Sequence, residues 1–276
     1  MRPGFAAPEG SLGACRIAER RRGGHISGMD QSFAAFAGLT LVFGFAGFVK
    51  GVIGMGLPTV AMGFLTLLMP PAEAATVLVL PSFVTNVWQL AAGPRLVALA
   101  RRFWPLLLAA TIATVVAARW LGAVSSAGTL AALGAALALY AITSLAPLRI
   151  EVSARHEWWL GPLVGVVTGV ITATTGVFVM PAVPYLQALR LAPEDLVQAL
   201  GLSFTVSTIA LAAALADNGQ FQWPHASASV LALAAAIGGM LLGQAVRTRM
   251  QPKTFRLWFL IGLLLLGLHL MLRGGI

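Results

Sequence analysis

Charged side chains are scarce in this sequence. Asp, Glu, Lys and Arg make up 10% of its 276 residues, against about 25% in a typical soluble domain. Acids are scarcer still, 9 against 18 basic residues. So few charges cannot cover a solvated surface, and with 58% hydrophobic residues and a mean hydropathy of +0.87 the chain belongs in lipid. Cysteine is almost missing: Cys15 alone excludes an internal disulfide and any cysteine-based metal site. The 4 histidines lack the HExxH spacing of a zinc site, so neither a metal nor a cofactor is expected. No Gly-x-Ser-x-Gly stretch is present, and His269 is the only histidine embedded in an apolar run. A serine nucleophile would therefore lack a positioned base, and the chain is expected not to be an enzyme. The net charge of +9 does not make nucleic acid a partner, because the positive residues stand between apolar runs, where they set membrane topology.

Ten apolar runs can be read: Phe33–Ile53, Leu57–Met69, Ala72–Ala92, Phe103–Gly122, Leu130–Ala146, Trp158–Thr175, Val177–Leu189, Leu196–Ala216, Trp223–Val246 and Phe255–Leu272. Most approach the length of about 20 residues that spans a bilayer. Leu57–Met69 and Val177–Leu189 do not, and each follows a Gly or Thr cluster without charged punctuation. Short segments at corresponding places in two halves mark a transporter's binding region. An offset of 122 lays Gly47 on Gly169 and Gly54 on Gly176; an offset of 121 lays Glu73 on Glu194 and Ser82-Phe83 on Ser203-Phe204. Such matches predict a tandem duplication.

Basic residues fall at Arg95 to Arg102, Arg149 to Arg155, Arg190 and Arg247 to Arg256, whereas the connections at Pro70 to Glu73, Ser125 to Ser126 and Asp217 to Gln222 have none. The first set should face the cytoplasm. The number of crossings between Arg155 and Asp217 is then odd, so two halves of equal architecture must be inverted relative to each other. The predicted fold class is all-α: a polytopic membrane protein of the bacterial inner membrane, with two inverted repeats, each a broken helical hairpin plus three transmembrane helices. Repeat 1 is assigned to residues 29–148 and repeat 2 to residues 149–276. Arg2, Arg16, Arg20, Arg21 and Arg22 run against this scheme, because they would hold the amino terminus inside. Met29-Asp30-Gln31 reads as the natural start, which leaves residues 1–28 as an extension outside the native chain. Trp104, Trp120, Trp158, Trp159, Trp223 and Trp258 lie near segment ends, as an interfacial belt requires, and Trp88 is read as the exception.

The chemistry concentrates between Gly44 and Pro58. Glycines three and four apart let helices pack closely, and Gly54, Gly56 and Pro58 together break one helix and start another. A helix that begins at membrane depth presents unpaired N–H groups carrying about half a positive charge, which suits an anion. Thr172, Thr174, Thr175 and Gly176 occupy the equivalent break in the second half. Two such tips converging near the midplane would form a pocket for a small oxyanion, with the threonine hydroxyls as added donors. The same glycines would equally serve helix packing alone. Lys50 is the one cation well inside an apolar run; it either attracts the anion or snorkels toward water. Ser82, Thr85, Asn86 and Gln89 on one following helix, and Ser203, Thr205, Ser207 and Thr208 on the other, add polar side chains that interhelical hydrogen bonding would also explain. The expected substrate-binding set is Lys50, Gly54, Gly56, Ser82, Asn86, Thr174, Thr175, Gly176 and Ser203. Carboxylates for a buried proton relay are missing, since Glu73, Glu194 and Asp195 sit in connections and Asp217 in a turn.

These motifs resemble the TauE/SafE family of membrane proteins, the sulfite exporters. The resemblance rests on Gly47 to Pro58 leading into a short apolar helix, on the Ser82 helix after it, and on a weaker copy from Gly165 to Pro181 followed by Leu196 to Ser207. It covers most of residues 33–272, although the family usually has a denser glycine cluster before the proline than either copy here. It implies a secondary transporter of a small anion, a sulfur oxyanion or organosulfonate such as sulfite or sulfoacetate, working by alternating access. A passive anion channel or a subunit of a membrane complex is the alternative. The expected partners are the small anionic substrate and the lipid bilayer. An anion leaving a negative-inside cell gains about 2.3 kcal/mol per charge per 100 mV, so export could run without a coupling ion.

Overall fold

The computed structural model describes residues 36–124, 128–146, 151–220, 226–247, 249 and 252–275. Residues 1–28, Met29, Ser125, Ser126, Arg149 and Trp223 lie outside the described residues. The chain divides into two units, Met1–Gly38 and Leu39–Ile276. Of the first, only residues 36–38 are described, as the opening turn of a helix. The second is helix and loop, with no strand among the described residues.

Each expected run overlaps one helix: α1 (Phe36–Ile53), α2 (Leu57–Leu65), α3 (Pro71–Ala91), α4 (Leu96–Leu121), α5 (Thr129–Leu145), α6 (Ala154–Thr175), α7 (Ala182–Ala188), α8 (Pro193–Asp217), α9 (Ala226–Arg247) and α10 (Pro252–Gly274). Among the described residues, 7 of them are long and apolar enough to cross a membrane; α5 falls just short at 17 residues, and α2 and α7 are the two short helices. Proline sets several of the starts. Pro71, Pro193 and Pro252 open α3, α8 and α10, and Pro58 is the second residue of α2, positions where a missing N–H loses no partner and φ is already helical. Glu73, Glu157, Glu194 and Asp195 occupy first turns, where the helix dipole favours an acid.

Three sequence readings need correction. α4 starts at Leu96 instead of Phe103, because Arg101 and Arg102 continue the helix while remaining exposed. Within Val177–Leu189 only Ala182–Ala188 is helical; the branched valines and the residue before Pro181 disfavour the α region. Trp88, read as the exception, lies in the last turn of α3 and is 52% exposed, whereas Trp104, read as near a segment end, lies more than two turns inside α4.

α3 and α8 are the two most buried spans, and they run antiparallel. Thr76 Oγ1, near the start of α3, donates to Gln220 O beyond the end of α8 at 3.3 Å, whereas Gln89 Nε2, near the end of α3, donates to Val197 O near the start of α8 at 3.0 Å. α5 and α10 are antiparallel too: a Cβ on Gly134 would lie 2.5 Å from Gly267 O, and one on Gly274, further along α10, would lie 2.5 Å from Ala131 N, earlier in α5. Two further pairs run parallel through glycine. Gly47 and Gly51 seat α1 against Ala236 O and Met240 O of α9, and Gly165 and Gly169 seat α6 against Leu106 O and Ala110 O of α4. In lipid such contacts rest on close van der Waals packing, which only small residues allow. Arginines bind the helix ends together: Arg95 with Asp195 at 2.9 Å, Arg102 with Glu157 at 2.6 Å, Arg190 with Glu151, and Arg119 with Asp217 at 2.8 Å. Pairs this exposed contribute about 1 kcal/mol or less each.

Candidate functional site

Lys50 sits in the last turn of α1, directly before the break. Gly54 N–H donates to Lys50 O at 2.7 Å and closes that turn. Gly54 and Gly56 then adopt φ of +86° and +107°, conformations that glycine takes without a Cβ penalty. Gly56 caps α2, and Thr59 Oγ1 donates back to its carbonyl at 2.7 Å. The Lys50 side chain does not snorkel. It is 4% exposed, and its Nζ donates to Thr85 Oγ1 of α3 at 3.1 Å and to Asn86 Oδ1. Asn86 Nδ2 donates in turn to Thr208 Oγ1 of α8 at 3.4 Å. The hydroxyls of Thr85 and Thr208 give their own protons to Pro81 O and Phe204 O, each at 2.7 Å, which leaves their lone pairs for the ammonium and the amide. Asn86 is five residues from the end of α3, roughly 7–8 Å along the axis. The cluster therefore lies toward the end where Arg95 and Arg102 gather, away from the middle of the helix.

Ser82, one turn before Asn86, has a buried Oγ without a hydrogen-bond partner, and Gln89, one turn after, has the same at Oε1. Each such orphan costs about 1–3 kcal/mol. The serine hydroxyl can donate to an anion; the amide oxygen only accepts. Among the described residues no Asp or Glu is buried, so all side-chain partners of the ammonium are neutral. A monovalent anion placed about 4 Å from it would gain roughly 4 kcal/mol at an effective dielectric constant near 20.

The family described as Sulfite exporter TauE/SafE matches residues 39–270, most of the chain. The chain belongs to the TauE/SafE family. No curated protein and no solved structure matches it.

In this TauE/SafE chain the second break is built differently from the first. Gly176, with φ of +72°, ends α6; a Cβ there would meet Met62 Cε of α2 at 3.0 Å and Ala75 Cβ of α3 at 3.6 Å. Thr175 Oγ1 donates to Ile171 O at 2.6 Å and accepts Val177 N–H at 3.2 Å. Thr172 and Thr174 donate to Thr168 O and Val170 O at 2.7 and 3.0 Å. Their protons are held within α6. Val177, Phe178 and Val179 are buried, with the Phe178 ring 5.3 Å from that of Phe204. Apolar side chains, not threonine hydroxyls, fill this break, and α7 has only 7 residues. Of the expected set, the structure brings Lys50 and Asn86 together, keeps Ser82 on the same face of α3 and places Gly54 and Gly56 at the end of the Lys50 helix. Ser203 is buried on α8, one turn before Ser207 and Thr208. His269 is exposed on α10, so it is no interior base.

Both breaks meet α5, which the sequence reading left without a role. Tyr140 Oη donates to Met55 Sδ at 3.4 Å, and Thr143 Oγ1 lies 4.0 Å from Met180 Sδ. A signal was available: Tyr140 is one of 2 tyrosines in the chain and interrupts an apolar run, where a hydroxyl at depth needs a partner. Two cavities lie elsewhere. One of about 260 Å³ is lined by apolar groups including Phe45, Phe64 and Trp258; the other, of about 250 Å³, is lined by Arg102, Glu157, Trp158 and Tyr185 among others.

The two glycines of the first break separate under substitution. Gly56→Ala sets a Cβ at φ +107°, 3.4 Å from Val49 Cγ1, and is expected to cost about 2–3 kcal/mol. Gly54→Ala meets nothing within 4 Å and carries only left-handed strain, about 1 kcal/mol. Thermal unfolding of the purified variants checks the order; an equal or reversed ranking would remove the special demand placed on Gly56.

Proposed function

We propose that the protein is a secondary transporter of a small sulfur oxyanion or organosulfonate, of the class of sulfite or sulfoacetate, in the bacterial inner membrane. The observation that carries the reading is Lys50: a buried ammonium whose side-chain partners are the neutral oxygens of Thr85 and Asn86, with the uncommitted Ser82 hydroxyl on the same helix face. An intramembrane cation without a counter-ion is costly unless function keeps it. An oxyanion would supply the missing charge and accept from Ser82. Sulfite-exporter family membership supports the substrate class.

Alternating access is the proposed mechanism, with residues 29–148 and 149–276 as inverted repeats. Two observations support this arrangement. α3 runs antiparallel to α8 and α5 to α10, the helices that occupy matching places in the two halves, and the first helix of each half packs on the fourth of the other. Rocking of one set against the other around α3 and α8 would expose the Lys50 cluster alternately.

Proteoliposomes holding the purified chain are expected to show saturable flux of sulfite or a sulfonate and counterflow against a preloaded anion. Non-saturating flux would replace the transporter by a channel, and the absence of flux for sulfite, sulfoacetate, taurine and simple carboxylates would end the reading. Reporters fused after residue 148 and after Ile276 are expected to report cytoplasm and periplasm respectively; the same side for both would remove the inversion.

A further inference from the structure

The Lys50 ammonium is isolated from other charge on the elements packed around it. α3 carries one charged residue, Glu73, in its first turn, far from Asn86. α8 carries Glu194 and Asp195 in its first turn and Asp217 as its last residue, and Asp195 and Asp217 are paired with Arg95 and Arg119. α9, which meets Gly51 through Met240 and Gln244, has Arg247 in its last turn as its charged group. α10 touches this end of α1 through Phe255 against Phe48 and Phe259 near Gly56; its Lys253, Arg256, His269 and Arg273 are at least partly exposed. α2 and α5 carry no charged residue at all. Nothing in the described structure compensates Lys50 when the site is empty.

An uncompensated ammonium in lipid costs several kcal/mol, and a carrier that returns empty would meet that cost in every cycle. The amine has a way out that an arginine lacks, because its proton can leave. We propose that Lys50 is the coupling site of a proton–anion symporter: one proton, held on Nζ, and one monovalent anion enter the site together and leave together. The balance is a neutral amine plus a proton plus a monoanion giving an ammonium paired with that anion, with no covalent change to either partner. Thr85 and Asn86 suit both states, since each offers an oxygen that accepts an N–H from ammonium or amine alike, and the unpartnered hydroxyl of Ser82 can turn to the anion. For a monoanion the cycle moves no net charge, so the proton gradient and not the membrane potential drives it. This rests on the anion-transport reading above and goes beyond it in naming the coupling ion and the residue that carries it.

The test uses the full chain in proteoliposomes with methanesulfonate, the anion of a strong acid, which cannot carry the proton itself. Counterflow of methanesulfonate is measured first; its absence in the wild-type protein withdraws the site reading and this proposal together. With counterflow present and the potential clamped at zero, a gradient of one pH unit, acid outside, is expected to drive accumulation of about tenfold, the factor that one pH unit supplies at one proton per anion. A potential imposed without a pH gradient is expected to leave uptake within about twofold of the unpolarised rate, against the tenfold expected from the gradient. Lys50→Arg is expected to lower the flux and to remove the dependence of what remains on the pH gradient. Accumulation that follows the potential and ignores the pH gradient would overturn proton coupling while leaving anion transport standing. A Lys50→Arg protein that still accumulates with the proton gradient would move the coupling to another residue. The wild-type arm decides even if the arginine variant fails to fold.

Discussion

Lys50→Met is expected to lower anion flux by about two to three orders of magnitude while the protein still inserts and folds. The two effects separate because they have different causes. Transport loses the attraction between the ammonium and the anion, roughly 4 kcal/mol at close range and intermediate dielectric, which corresponds to a factor near 10³. Folding loses the contacts to Thr85 and Asn86 but also sheds the cost of burying an amine that is 4% exposed and must either give up its proton or stand without a counter-ion. Replacing buried charge by an apolar side chain of similar volume is often neutral or stabilising by about 1–4 kcal/mol. Against this stands the Asn86 carbonyl left unsatisfied, about 1–3 kcal/mol. The net change in stability should stay within about 2 kcal/mol of zero. Flux in proteoliposomes, normalised to folded protein, and thermal unfolding in detergent measure the two quantities. If flux falls only in proportion to the folded fraction, Lys50 is a structural residue and the proposed site is lost.

Gly47→Ala is expected to be strongly destabilising, on a par with Gly51→Ala one turn later, and Gly44→Ala to be harmless. A Cβ at Gly47 would stand 2.1 Å from Ala236 O and 2.9 Å from its carbonyl carbon, all backbone atoms of α9; a Cβ at Gly44 meets nothing within 4 Å. Backbone cannot swing aside as a side chain does, so α1 and α9 must move apart along their length. Gly239 and Gly243 of α9 would then also lose their seats against Gly44 O and Phe48 O. Overpacking of this kind costs about 1–3 kcal/mol or more, and in lipid no hydrophobic term restores the lost van der Waals contact. At Gly44 the substitution should gain up to about 1 kcal/mol through helix propensity. Thermal unfolding of the two variants side by side is the measurement. Comparable stability for both would mean that the α1 and α9 glycines do not set the approach of these helices.

The Gly47 result also bears on the site, since Lys50 is one turn further along the same helix and reaches α3 only while α1 is held in place. A Cβ on Gly169 would lie 2.4 Å from Ala110 O, so this glycine seats α6 on α4 in the way Gly47 seats α1 on α9. The offset that matched these two glycines in the sequence thus picked out two helix contacts of the same kind.

Much of the architecture was legible before any coordinates. Lipid as solvent makes every span a run of apolar residues, and backbone groups must pair within the helix, so ten runs predicted ten helices to within a few residues at most boundaries. The places where the reading slipped have local causes. Arg101 and Arg102 look like a loop because they are charged, yet a helix continues through them at the membrane surface. Val177-Phe178-Val179 looks like membrane helix because it is apolar, yet it is non-helical and buried before Pro181. Hydropathy reports where a residue is at home and not which backbone shape it takes there.

The candidate site was legible only in part. Glycine spacing marked the first break, and its positive φ angles follow from residue type. The polar face of α3 was visible as Ser82, Asn86 and Gln89, but each could equally have bonded to a neighbouring helix, and Gln89 does bond to Val197 O through its amide nitrogen. Whether Lys50 turned inward or toward water was open from sequence, because a flexible four-carbon stem reaches either. Thr174 and Thr175 had the chemistry of donors, and only the fold reveals that Ile171 O and Val170 O already hold their protons.

By itself, then, the amino-acid order determined the solvent, the helices, the paired breaks and the residues rich enough in chemistry to matter, because these depend on composition and on neighbours within a turn or two. Tertiary structure alone decided which of them meet: Lys50 with Asn86 and, through it, Thr208; Met55 and Met180 on α5; Gly176 on Met62. Such meetings depend on how helices far apart in the chain approach and cross, and that is fixed by backbone contacts through glycine and by the burial of whole faces, neither of which any local stretch of residues encodes.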